Sequence, residues 1–318
     1  MSTEEFCTHL TELHSKSLLN DNDTFLFDCD GVLWNFPQIF TGAIELLNYL
    51  TAQGKRLFFV TNNSTKTQDD YAKRFNDIGY NAKPEQIICT AWLTAQYLKS
   101  IKFAGKCFVL GMQSMKHELE REGITICGGI GADPLAPDVN AVNTNQLEFD
   151  KDVDCVISAL DLHISYIKIL KAATYLNRPN VLFLATNDDA SLPQSDETVM
   201  PGAGSILSSI VTASCRSPTI LGKPHAPMFD AIRLAFPDVD PKRTVMIGDR
   251  VETDIAFGNR QGATTLLVFS GATSEKYLNT LKQQAEKHAI ERDLLPNFCV
   301  KDVGQFLRFL ESTRKSSL

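Results

Sequence analysis

Asp28 and Asp30 stand two residues apart, directly after the apolar run 25–27. A short apolar run that ends in a turn reads as a buried strand. Both carboxylates then belong at the C-terminal end of that strand, where open α/β sheets hold their ligands. Like charges held this close raise each other's pKa unless a cation lies between them, so the pair predicts a bound metal or a shared proton. A solvated turn also accommodates two aspartates, and the remainder of the chain decides between these readings.

Three further segments supply the company the pair needs. Thr61-Asn62-Asn63-Ser64 follows the apolar run 57–60, Gly222-Lys223-Pro224 stands far downstream, and Gly248-Asp249-Arg250 follows the run 244–247, with Asp254 five residues beyond Asp249. In this order the segments resemble the four motifs of the haloacid dehalogenase (HAD) superfamily: an Asp-x-Asp, a Ser or Thr after the second strand, a Lys, and a GDxxxxD. Within it, DCDGVLW, FVTNNSTK, LFLATN, MPGAGS, GKP and TVMIGDRVETDI resemble the phosphoglycolate, pyridoxal phosphate and 4-nitrophenyl phosphatase family, from about Asp23 to Leu310.

The resemblance and the chemistry of the residues together give each piece an expected role. Asp28 is the candidate nucleophile, attacking phosphorus in line to form an aspartyl-phosphate. Asp30 would protonate the leaving oxygen and then take a proton from the hydrolytic water. The dehalogenases that the layout resembles lack this second Asp, so its presence favours phosphoryl chemistry. Asp249 supplies a further carboxylate for a hard cation such as Mg²⁺. The family implies that the nucleophile's carboxylate and the second Asp's backbone carbonyl complete the protein ligands, so the expected metal set is Asp28, Asp30 and Asp249. Asp254 is expected behind the ligands, orienting water or Lys223. Thr61, Asn62 and Asn63 offer a hydroxyl, amides and backbone N–H groups to a phosphate ahead of a helix beginning near Thr67. Lys223 adds a cation for the transition-state charge, and Pro224 keeps the preceding backbone extended. A TNNS turn is also a good capping sequence in its own right.

These residues require strands that end together. Strand and helix patterns alternate along the whole chain, which predicts a parallel α/β sheet. A helix over 41–53 ends at Gly54, a suitable C′ residue, and the helix TAWLTAQYLKS closes the first section. From about 101 to 204 a second α/β pattern runs through KCFVLG, a helix over 113–122, VDCVISAL, a helix over 166–176, and VLFLATN. The expected organisation is a Rossmann-like core over 1–100 and 205–318, interrupted by an α/β cap over 101–204. The resemblance implies that the cap covers the site, selects substrates and often joins two copies into a homodimer; an insert of this kind can exclude water on closing. Gly128-Gly129-Ile130-Gly131 lacks dinucleotide spacing, and Gly202-Ala203-Gly204 marks a helix start and a return toward the core.

Length and composition agree with a two-part enzyme. The chain has 318 residues, 43% hydrophobic and 22% charged, and exceeds what one core usually organises. Its net charge of −7 argues against non-specific nucleic-acid binding, which needs a basic stripe. No apolar run is long enough to span a membrane, and the acid-bearing N-terminus resembles neither a secretory signal nor a transit peptide. The eight cysteines contain no CxxC and read as reduced residues of a cytoplasmic protein. Cys29, between two acids, has a disfavoured thiolate.

The expected substrate is a small phosphorylated metabolite, 2-phosphoglycolate-like, with 4-nitrophenyl phosphate also accepted. Pyridoxal phosphatases of the family carry a His before a Pro where this chain has Leu192-Pro193, so pyridoxal phosphate is the alternative, together with phosphoproteins. Leu192 could equally serve only to pack. His163 reads as a capping or surface residue at a helix start; His225 follows the Lys223-Pro224 pair, from which it could reach a phosphate, although a role there is not the favoured reading.

Overall fold

The computed structural model describes residues 7–131, 147–192, 198–285 and 289–315. The chain divides into two compact units. The first comprises residues 1–61, 69–88 and 223–318, and the second comprises 62–68 and 89–222. Residues 1–6 of the first unit and Pro193 of the second lie outside the described residues.

The first unit is built on a seven-stranded sheet. Its spatial order is Thr8–His9, Phe298–Val300, Thr264–Val268, Thr244–Gly248, Thr24–Phe27, Arg56–Thr61 and Ile87–Cys89. The pairings from Thr8–His9 across to Arg56–Thr61 are all parallel. Phe25, Leu26, Phe27, Leu57, Phe58, Phe59, Val245 and Ile247 are buried, which is why these strands read as continuous apolar runs: a parallel sheet is covered on both faces. In register, Phe27 lies beside Phe59 on one side and Ile247 on the other. Three neighbouring strands therefore end close together: Asp28 follows Thr24–Phe27, Asp249 follows Thr244–Gly248, and Arg56–Thr61 runs two residues past Phe59 to end on Thr61 itself. This is the Rossmann-like architecture that the alternating pattern predicts.

The helices between these strands follow the expected signals. Ala43–Ala52 ends one residue before Gln53, and Gly54 takes φ +73° to close it. Gln68–Asp77 ends ahead of Gly79, also at positive φ. One element has no counterpart in the sequence reading: a short antiparallel hairpin pairs Trp34–Asn35 with Gln38–Ile39 immediately after the Asp28–Asp30 turn.

The second unit has its own sheet of five parallel strands, ordered Thr219–Ile220, Leu182–Ala185, Val153–Ser158, Lys106–Leu110 and Thr125–Ile126. Its core gathers Phe108, Val156, Tyr175, Phe183 and Ile210. Helix Tyr166–Leu176 starts at Ser165, whose side chain accepts from Lys168 N. His163 lies ahead of that helix, in a turn where its N–H donates to Asp161. The unit extends past 101–204 at both ends, because Thr219–Ile220 adds a strand to its sheet and helix Thr90–Ser100 packs on Gln113–Arg121. Gly202 caps helix Ala203–Ser214 within this unit. Among the described residues no helix is long and apolar enough to cross a membrane.

Candidate active site

Asp28 follows its strand with the backbone still anchored, its N–H donating to Ile247 O at 2.9 Å. Lys223 Nζ lies 2.6 Å from Asp28 Oδ1 and 2.7 Å from Asp254 Oδ1, and donates to Val60 O at 2.8 Å. The lysine is only 2% exposed. Burial opposes its charge, but Asp254 and Asp28 outweigh that and hold its pKa above the ordinary lysine value. The peptide from Lys223 to Pro224 is cis.

The GDxxxxD segment owes its shape to a wide turn. Residues Val251–Ile255 form a single π-turn, with both Asp254 N and Ile255 N reaching Arg250 O. Such turns recur at functional sites. Here the turn brings Asp254 back onto the strand end, where its Oδ2 accepts from Asp249 N at 3.2 Å and Arg250 N at 3.1 Å. Asp254 thus divides its two oxygens between the backbone and Lys223. Asp249 is held by Ala272 N at 2.6 Å from its Oδ2 and, through its carbonyl, by Thr273 N at 3.0 Å. Gly31 and Gly271 crowd the same carboxylate so closely that a Cβ on either would collide with it.

The charges are unbalanced without a further cation. Asp28, Asp249 and Asp254 each offer an oxygen within 4.8 Å of the others. With all three ionised, the carboxylates against one buried ammonium leave two negative charges, which one divalent cation would balance. Burial first, and then Asp254 and Asp249, push the Asp28 carboxyl well above its usual range despite Lys223. Burial and Asp254 push Asp249 up to about 7. An all-oxygen donor set of this charge fits a hard divalent cation. The side chains so grouped are Asp28, Asp249 and Asp254; the expected set shares Asp28 and Asp249 with this group and takes Asp30 through its backbone carbonyl, not its side chain.

Asp30 is engaged elsewhere by its side chain. Trp34 Nε1 donates to Asp30 Oδ1 at 2.9 Å. Burial raises the Asp30 pKa, opposed by that N–H, by Arg74 and by Lys223. Cys29 between the two aspartates is buried, and burial with both carboxylates pushes its thiol up, as its neighbours predict. All eight cysteines are free; Cys215 is exposed rather than packed.

The Thr61 turn distributes its residues differently. Thr61 is buried at the end of its strand in the first unit. In the second unit, Asn62 Nδ2 donates to Asp189 Oδ2 at 2.9 Å, and Thr90 Oγ1 donates to Asn62 O at 2.8 Å. Asn187 Nδ2 meets the same Asp189 oxygen at 2.7 Å. Asn63 Oδ1 accepts from both Thr65 N and Thr65 Oγ1, so this oxygen shapes the turn. Leu192 packs against the second unit's core, the packing reading of that position. Sequence reasoning gave no role to Trp34, Gly271 and Ala272. Asp189 closes the stretch Thr186-Asn187-Asp188-Asp189 ahead of Leu192-Pro193, a pattern that resembles the phosphoglycolate phosphatase type, but its contact with Asn62 is not visible in sequence; for Trp34 the signal was an indole four residues after Asp30.

Comparison with known proteins adds independent findings. Residues 25–125 match the family model of haloacid dehalogenase-like hydrolases, and residues 220–295 match a HAD-hydrolase-like model. The chain is 36% identical to glycerol-3-phosphate phosphatase of Mus musculus, over 97% of each chain. It is 35% identical to chloroplastic phosphoglycolate phosphatase 1A of Arabidopsis thaliana, over 92% of this chain and 79% of that one. Chronophin of Mus musculus is 36% identical, over 96% and 99%. Among solved structures, 4-nitrophenylphosphatase of Thermotoga maritima superposes with a TM-score of 0.73 at 25% identity, covering 92% of this chain and 99% of that one.

Proposed function

The chain belongs to the haloacid dehalogenase-like hydrolases, and from that premise we propose that it is a Mg²⁺-dependent phosphatase of small phosphomonoesters acting through an aspartyl-phosphate. The observation that carries this reading is the convergence of Asp28, Lys223, Asp249 and Asp254 at one end of a parallel sheet, with Asp30 two residues beyond the nucleophile. A site that only bound phosphate would have no use for a buried carboxylate set of net negative charge.

In the proposed mechanism an Asp28 oxygen bonds to phosphorus as the ester P–O bond breaks. The electron pair passes to the ester oxygen, which takes its proton from Asp30 and departs as the alcohol. A water then attacks phosphorus and gives its proton to Asp30; the bond to Asp28 breaks, and inorganic phosphate leaves. Lys223 keeps the Asp28 carboxylate charged and in place and balances charge at the phosphoryl oxygens. Asp28 and Asp249, with the Asp30 carbonyl that the family implies, would hold Mg²⁺, which when bound supplies charge neutralisation for the phosphoryl group. Asp254 fixes Lys223 and the Asp249 backbone.

Substrate choice is assigned to the second unit, with a three-carbon polyol phosphate or phosphoglycolate as the leading class; the names of the full-length relatives support both. Free cysteines support a reducing, cytoplasmic setting. Exposed Leu162, Ile164 and Tyr166 in the second unit support a homodimer formed through it. The test is kcat/KM in excess Mg²⁺ for glycerol 3-phosphate, 2-phosphoglycolate, pyridoxal 5′-phosphate and a phosphoserine peptide. Preference for either of the first two supports the reading. Preference for pyridoxal phosphate or the peptide removes the substrate class but keeps the chemistry, and no turnover of any removes both.

A further inference from the structure

Trp34 ends the turn that carries both aspartates, and it is fully buried. Its main chain is tied to that turn, with Gly31 N donating to Trp34 O at 2.8 Å. Its indole is held by two successive residues of helix Gln68–Asp77. The Phe75 ring packs at 5.0 Å between centroids, and the Arg74 guanidinium carbon lies 4.7 Å from the indole centroid. Arg74 also lies 3.7 Å from the centroid of Phe36, an exposed residue of the hairpin turn. A guanidinium over an indole face is an attractive, orienting contact. The indole N–H that these contacts aim ends on Asp30 Oδ1 at 2.9 Å.

Indole nitrogen can donate and cannot accept. An Asp30 oxygen that accepts from it cannot at the same time point a carboxylic proton at it. We propose that Trp34, held by Arg74 and Phe75, is a positioning residue that reserves Asp30 Oδ1 as an acceptor and thereby assigns Oδ2 as the oxygen that delivers and recovers the proton. This rests on the phosphatase reading above. As the ester P–O bond breaks and its electron pair moves to the leaving oxygen, the Oδ2 proton passes to that oxygen, and Asp30 is left as a carboxylate still bonded to Trp34. In the second half, the proton of the attacking water returns to Oδ2.

The dependence on leaving group separates this role from mere packing. A poor leaving group such as an alkoxide needs the proton, whereas 4-nitrophenolate needs it far less. Asp30→Asn, Trp34→Phe and Arg74→Met are assayed with glycerol 3-phosphate and 4-nitrophenyl phosphate in saturating Mg²⁺. Asp30→Asn sets the reference skew. Trp34→Phe, which keeps a ring on Phe75, is expected to lower kcat for the alkyl ester by on the order of 10-fold or more beyond its loss on the aryl ester, with KM little changed. Arg74→Met is expected to show the same skew in smaller measure, and it carries the test alone if Trp34→Phe does not fold. Equal losses on both esters in the Trp34 and Arg74 variants, beside a skewed Asp30→Asn, overturn the positioning role and leave the phosphatase reading standing. An Asp30→Asn variant without skew removes the proton-transfer role of Asp30, and the inference with it.

Discussion

At the scale of single residues, the site is a problem of buried charge. Lys223 touches two of the three carboxylates, and its removal leaves Asp28 and Asp254 facing each other without a counter-ion. Breaking a buried pair in this way costs about 3–5 kcal/mol, and loss of a transition-state cation costs about 10²-fold or more in rate. Lys223→Met is therefore expected to lose activity and to melt earlier than the wild type in metal-free buffer, with added Mg²⁺ recovering part of the loss in a thermal-shift assay. The wild type should itself melt higher with Mg²⁺, since an ion that binds only the folded state stabilises it by mass action. Asp249→Asn should lose most of that Mg²⁺-dependent rise; an unchanged rise would remove Asp249 from the metal set. Asp28 and Asp249 were legible in the sequence because each stands just past an apolar run, and Lys223 and Asp254 because their order and spacing complete the same motif set. The partner of Asp30 was not, because a tryptophan in an apolar stretch reads as core until its N–H is seen to end on a carboxylate.

At the scale of elements, strand ends set the site and turns refine it. The strands Thr24–Phe27, Arg56–Thr61 and Thr244–Gly248 could be read directly, since burial on both faces makes each a continuous apolar run. The π-turn Val251–Ile255 could not, because the i to i−5 bond leaves no periodic signature in five residues. The hairpin Trp34–Asn35 with Gln38–Ile39 has strands of two residues, too short for any alternation to be visible. The turn containing Gly271 makes its contribution only in three dimensions. Gly271 is exposed to solvent yet its missing Cβ makes room for the Asp249 carboxylate. Gly271→Ala is thus expected to fold normally and to raise the Mg²⁺ concentration for half-maximal activity by about 10-fold or more, as displacement of a ligand's support does. Mg²⁺ titration of activity beside a circular dichroism melt checks both halves. Gly31→Ala should do the same with added backbone strain, because Gly31 has φ +85°.

At the scale of the whole molecule, the chain is two α/β units, each with its own parallel sheet and core. The alternation of strands and helices made both visible in sequence, but the limits of the second were not. Helix Thr90–Ser100 and strand Thr219–Ile220 join it through packing and pairing that no local composition marks. That unit also encloses a fully buried pair, Lys168 Nζ to Asp161 Oδ2 at 2.6 Å. Lys168→Met alone is expected to cost about 3–5 kcal/mol, and the double variant Asp161→Leu, Lys168→Met to recover most of it, as read by urea unfolding. If the second unit joins two copies, Tyr166→Glu should shift the protein to a monomer in light scattering while its sheet stays intact by circular dichroism. The central claim is that Asp28 is the nucleophile, and Asp28→Asn with 4-nitrophenyl phosphate in excess Mg²⁺ tests it most directly. The variant keeps the side-chain shape, and its kcat is expected to fall by on the order of 10⁴-fold or more while inorganic phosphate still raises its melting temperature. A folded Asp28→Asn enzyme that turns over at the wild-type rate would contradict the account.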